Sequence, residues 1–124
     1  MTVSLGVVMD PIADIKFYKD TTLALLLAAQ ARGWSLHYME QSDLYLAHGE
    51  ARATMRNLTV SEDPDDFYNL GLTEDRPLAE LNVILIRNDP PFDKEFFYST
   101  YILEAAQKQG TLVVNDPRSL RDCN

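Results

Sequence analysis

A chain of 124 residues, 46% of them hydrophobic, has the size and composition of one compact domain with a small core. Nineteen acidic against eleven basic residues give a net charge of −8, a balance without the Lys/Arg excess that nucleic acid or an anionic membrane demands. Cys123 is the only cysteine, which excludes an internal disulfide and a cysteine-built metal site, and no segment approaches the ~20 apolar residues of a membrane span.

The opening Met1-Thr2-Val3-Ser4 has no basic region, and the apolar run Leu5–Met9 is too short for a secretion signal. A soluble cytoplasmic protein is the expectation. Val3–Met9 reads as a buried parallel strand, apolar on both faces and stopped by Asp10-Pro11, where the proline holds Asp10 out of the α region. Asp20 or Thr21 caps a following helix with Leu23, Leu26, Leu27 and Ala31 at helical spacing, and Gly33 closes it. Trp34–Met39 alternates as a second strand. The middle changes character. Leu44–Leu46 and Ala51–Val60 flank the turn pair His48-Gly49 and predict an antiparallel hairpin. Ser61–Asp66 is an acidic turn, Phe67–Leu72 a further short strand, Thr73–Pro77 a polar loop and Leu78–Glu80 a single turn. Val83–Ile86 restores the buried-strand pattern. Asp93 caps a second helix with Phe97, Ile102 and Ala105 on its apolar side, Gly110 ends it, and Leu112–Val114 is a fourth buried strand. The expected class is α/β: an open, mainly parallel, Rossmann-like sheet with an inserted antiparallel β-hairpin.

Open parallel sheets receive ligands outside the carboxyl ends of their strands, at the switch in strand order. Three polar, proline-bearing loops leave such ends: Asp10-Pro11, Arg87 to Asp93, and Asn115 to Ser119. Asp10 either faces a substrate or caps its own loop. Arg87 either grips a carboxylate with its planar fork or pairs with Asp89 to shape the double-proline loop. Tyr18 and Lys19 fringe the same edge, and the helix start at Asp20–Thr21 offers free N–H groups to an anion or simply caps itself. Arg52 and Arg56, four residues apart, share one strand face, either contacting a neighbouring subunit or substrate, or forming a solvated face that balances nearby acids. His37 and His48 have no companions at metal spacing, and no phosphate loop or GxGxxG segment is present. No catalytic, cofactor or metal residue emerges from these patterns.

The segments Val8-Met9-Asp10-Pro11-Ile12, Asp43-Leu44-Tyr45-Leu46, Gly49-Glu50-Ala51-Arg52-Ala53, Arg87-Asn88-Asp89-Pro90-Pro91-Phe92-Asp93 and Ser119-Leu120-Arg121-Asp122-Cys123-Asn124 together resemble successive signatures of prokaryotic-type glutathione synthetases. The resemblance runs in order along the chain. It implies the N-terminal, pre-ATP-grasp domain of an ATP-grasp ligase that joins γ-glutamylcysteine to glycine. ATP and Mg²⁺ would serve the full-length enzyme through an acyl phosphate, and identical chains would assemble. Asp10, Tyr18, Arg87 and Asp89 then become the candidates for substrate contact, since γ-glutamylcysteine carries carboxylates for Arg87. Residues 1–118 are expected to be the substrate-side domain and 119–124 the cut start of the connection to an ATP-grasp region. A fragment without that region should be inactive alone and bind neither ATP nor Mg²⁺. The competing classes are a receiver-like signalling module and a flavin- or nucleotide-binding α/β module. A receiver needs several carboxylates after its first strand, where only Asp10 stands here. The other lacks its phosphate loop.

Overall fold

The computed structural model describes residues 2–15, 21–88 and 94–114, apart from the side chains of Glu95 and Phe97. Strand β1 (Ser4–Met9) leads through a short 3₁₀ turn towards helix α1 (Thr21–Ala31) and strand β2 (Ser35–Met39), which pairs parallel to β1. β3 (Leu44–Ala47), β4 (Glu50–Val60) and β5 (Tyr68–Pro77) form the antiparallel insertion. β6 (Val83–Arg87), α2 (Lys94–Lys108) and β7 (Leu112–Val114) complete a seven-stranded sheet in the order β3-β4-β2-β1-β6-β7, with β5 on the second edge of β4. β1 is parallel to both neighbours, so chain order reverses between β1 and β6. Gly33 and Gly110, at φ 82° and 110°, end the two helices in the left-handed region that side chains avoid.

The sheet has a core on each face. On the α1 side, Leu5, Val7 and Met9 of β1 pack with Leu36 and Tyr38 of β2 against Leu23 and Leu26. On the α2 side, Val8, Met39, Ile84, Ile86 and Val113 pack against helix residues such as Ile102 and Leu103. Strand alternation with period two sorts these residues, and the helices decide which face is buried where. β4 shows this best. Ala51, Ala53 and Met55 belong to the α2 core, whereas Leu58 and Val60, further along the same strand, belong to the α1 core. Gly6 marks the tightest crossing: an added Cβ would sit 2.6 Å from Leu81 Cδ1 and 2.7 Å from Met39 Cε.

Three expectations are corrected. The polar loop expected at Thr73–Pro77 is the second half of β5, paired with Arg52–Arg56 of β4. An edge strand whose outer side faces water tolerates Thr73, Glu74, Asp75 and Arg76, so its polarity hid the pairing. The buried stripe of α1 is Thr22, Leu23, Leu26 and Ala29, while Leu27 is half-buried and Ala31 exposed. On α2 the stripe is Phe96, Ser99, Thr100, Ile102, Leu103 and Ala106, with Ala105 only flanking it. Polar Ser99 and Thr100 carry no hydrophobic signal, so periodicity alone rotated that face. The Phe97 side chain and Asp93 lie outside the described residues.

His37 is a buried polar exception, 5% exposed, with Nδ1 lacking a hydrogen-bond partner and Nε2 3.3 Å from Ser35 Oγ. Burial, then the nearby Arg76 charge, hold its pKa below the usual 6.5, opposed only by Glu74. The folded protein thus resists a proton that the unfolded chain accepts. Stability is fully present above the unfolded pKa and falls as pH drops below it. Melting curves of the protein and of His37→Gln between pH 7.5 and 5.5 should show a smaller acid-side loss in the variant. Equal losses would contradict the assignment.

Candidate functional site

At the reversal in strand order, Met9 of β1 stands opposite Arg87 of β6, and the residues that follow them meet across the crevice. Asn88 Nδ2 donates to Asp10 Oδ1 at 3.2 Å. Because a carboxylate only accepts, the amide NH₂ must face Asp10, which leaves Asn88 Oδ1 pointing elsewhere. That oxygen is buried and has no hydrogen-bond partner. A buried orphan acceptor is costly, and it is a ready place for an incoming N–H donor.

Arg87 lies on the α1 side and is half-buried. Its Nε donates to Thr22 Oγ1 in the first turn of α1 at 3.1 Å, and among the described residues it forms no ion pair. The terminal amino groups of its fork therefore remain for other acceptors, beside a helix start whose N–H groups also favour negative charge. Asp10, Asn88, Arg87 and the start of α1 thus gather at the switch in strand order, the place where open parallel sheets form a crevice, with acceptors and donors side by side. The expected Arg87–Asp89 pair cannot be placed, because Asp89 lies outside the described residues, as do Tyr18, Cys123 and the loop 115–119.

A second concavity of about 350 Å³ lies beyond the carboxyl end of β2, roofed by Pro11–Ala13 and floored by β2, β4 and β5. Tyr38 is buried there. Its hydroxyl accepts from Ile12 N–H at 3.1 Å and donates to Glu40 Oε2 at 2.5 Å. Burial first, then the Glu40 carboxylate, hold the phenol well above its usual pKa. Asp43 Oδ2 accepts from Glu40 N–H at 2.8 Å, yet burial and the neighbouring Glu40 charge keep the Asp43 carboxyl above its usual range. Arg56 stands opposite Tyr38 in the register.

Glu40 went unrecognised in the sequence. It directly follows a buried strand, the same position that singled out Asp10 and Arg87, but Glu40 to Asp43 reads as an ordinary polar connection. The two arginines of β4 share a face as expected and differ in company. Arg52 is tied to Glu50 at 2.5 Å and Asp75 at 3.4 Å, with Tyr45 Oη at 3.3 Å, an arrangement that raises its pKa, first through Glu50 and then Tyr45. Arg56 has no acidic partner among the described residues. No three His, Cys, Asp or Glu side chains among them gather as a metal site, and no described helix is long and apolar enough to cross a membrane.

The fold is that of an open, mainly parallel α/β domain whose polar residues gather at the carboxyl edge of β1 and β6. Residues 3–121 match the N-terminal domain of prokaryotic glutathione synthetase, and the chain belongs to that family. It is 65% identical to a glutathione synthetase of Pseudomonas putida, over all of this chain and 39% of that relative. It is also 60% identical to one of Escherichia coli, over 98% of this chain and 39% of the relative, and 58% identical to one of Yersinia pestis, over 98% and 38%. The chain thus spans well under half the length of these relatives. A receiver-like or flavin-binding reading is not favoured.

Proposed function

We propose that this chain is the substrate-side domain of an ATP-dependent carbon–nitrogen ligase that joins γ-glutamylcysteine to glycine. The observation that carries the reading is the match to the family across residues 3–121. ATP and Mg²⁺ supply activation of the substrate carboxylate as an acyl phosphate. Their ligands are expected in the additional length that the relatives carry.

The chain's own residues hold and orient substrate. The Arg87 fork and the first turn of α1 take a carboxylate, and Asn88 Oδ1 accepts from a substrate N–H while Asp10 fixes the amide. Tyr18 and Asp89, outside the described residues, remain candidates for substrate contact, and assembly of identical chains in the cytoplasm belongs to the same reading. The test pairs the chain alone with the chain joined to the additional region of its relatives. Glutathione formation by the joined protein only, with no ATP binding by residues 1–124, is the expected result. Tight nucleotide binding by the 124-residue protein would overturn it.

A further inference from the structure

The cleft beyond β2 holds opposite charges that do not meet. Arg56 is fixed by two backbone acceptors, with Nε donating to Gly71 O at 2.8 Å and Nη2 to Leu70 O at 3.3 Å. Those carbonyls come from an irregularity in the ladder. Arg56 pairs with Thr73 and Leu58 with Leu70, so Asn57 alone in β4 faces both Gly71 and Leu72 in β5. The extra residue is a β-bulge, a device that re-aims side chains beside functional sites. Here backbone carbonyls beside it clamp a guanidinium that lines the cleft and has no carboxylate partner among the described residues.

On the other side, the Tyr38 hydroxyl fixes the Glu40 carboxylate, and Asp43 is tied to the Glu40 backbone. Neither acid forms an ion pair among the described residues. Both signs are thus pre-organised on one concavity of about 350 Å³, too far apart to pair with each other. Tyr68 and Leu70 add apolar surface to the lining, and Thr54 and Thr73 add hydroxyls. A single-charge ligand satisfies one wall and leaves the other. A ligand with an ammonium next to a carboxylate satisfies both.

We propose that this cleft is a binding site for the head group of an α-amino acid, the carboxylate on Arg56 and the ammonium on Glu40 and Asp43. The site is separate from the crevice at Asp10 and Asn88 and does not depend on the reaction proposed above. Rigid partners reduce the ordering cost of binding, so a small zwitterion suffices as ligand.

The test is an amide-shift titration of the 124-residue protein with L-glutamine and with its two single-charge halves, glutaramate, which lacks the ammonium, and 4-aminobutanamide, which lacks the carboxylate. L-glutamine should bind about tenfold or more tightly than either half, because each lost half removes a charge-assisted contact. Shifts should centre on Thr54, Arg56 and Thr73 rather than on Asp10 and Asn88. Arg56→Gln and Glu40→Gln should each weaken glutamine by a similar factor. Equal binding of all three compounds, no binding of glutamine, or shifts confined to the Asp10 crevice would overturn the proposal. The comparison of ligands on the unaltered protein decides it even if a variant fails to fold.

Discussion

Arg87→Gln in the full-length enzyme is expected to raise the KM for γ-glutamylcysteine by roughly 10- to 100-fold, the range set by losing a charge-assisted hydrogen bond at about 1.5–3 kcal/mol. The change keeps a side chain that reaches Thr22 and donates to its hydroxyl, so the tie between β6 and α1 survives while the charge is lost. Melting temperature should therefore move little. A KM that stays put while the protein melts early would make Arg87 a structural tie and remove it from the substrate pocket. Arg87→Lys sharpens the comparison, since lysine restores charge without the planar fork. It should recover only part of the loss.

The largest effect on folding is expected from Ile84→Ala. Ile84 is fully buried in the α2 core, and its strand position is shared with Gly6 on one side and Val113 on the other. Truncation there removes buried methyl groups and leaves a cavity walled by a tight sheet, at a cost of about 2–5 kcal/mol. For a domain of this size that lowers the melting temperature by roughly 8–20 °C. Leu112→Ser is the matched control. Leu112 is next to this row but 61% exposed, and its replacement should fall within about 0.5 kcal/mol of neutral. Equal losses in the two variants would mean that the α2 core is not packed as described.

Much of this architecture was legible because buried parallel strands leave an unmistakable trace. Val7-Val8-Met9 and Ile84-Leu85-Ile86 are apolar on both faces, bounded by Asp10-Pro11 and by Arg87-Asn88, and the structure places both strands side by side. The hairpin was legible from His48-Gly49, both at positive φ in the turn. β5 was only half legible, because an edge strand takes its conformation from its partner and not from its own residues. The strand-end rule placed Asp10 and Arg87 at the carboxyl ends of β1 and β6, where the structure has them. It did not foresee Asn88, whose importance is an unpaired oxygen visible only once Asp10 is opposite it. Nor did it separate Arg52 from Arg56. Their chemistry differs because Asp75 reaches one and a bulge holds the other, and both come from a strand read as half loop.

β4 also limits how this sequence can change in length. Ala51, Ala53 and Met55 enter one core and Leu58 and Val60 the other, on a single alternating strand. Inserting or deleting one residue between Met55 and Leu58 leaves one half seated and turns the other half over, driving residues such as Arg52 and Thr54 into the α2 core or exposing Leu58 and Val60 to water. Neither half can slide to compensate, because β2 and β3 hold one edge of the strand and β5 the other. Insertions and deletions among related chains should therefore collect in the connection at residues 61–66, which is exposed to solvent, while the span of β4 stays at constant length.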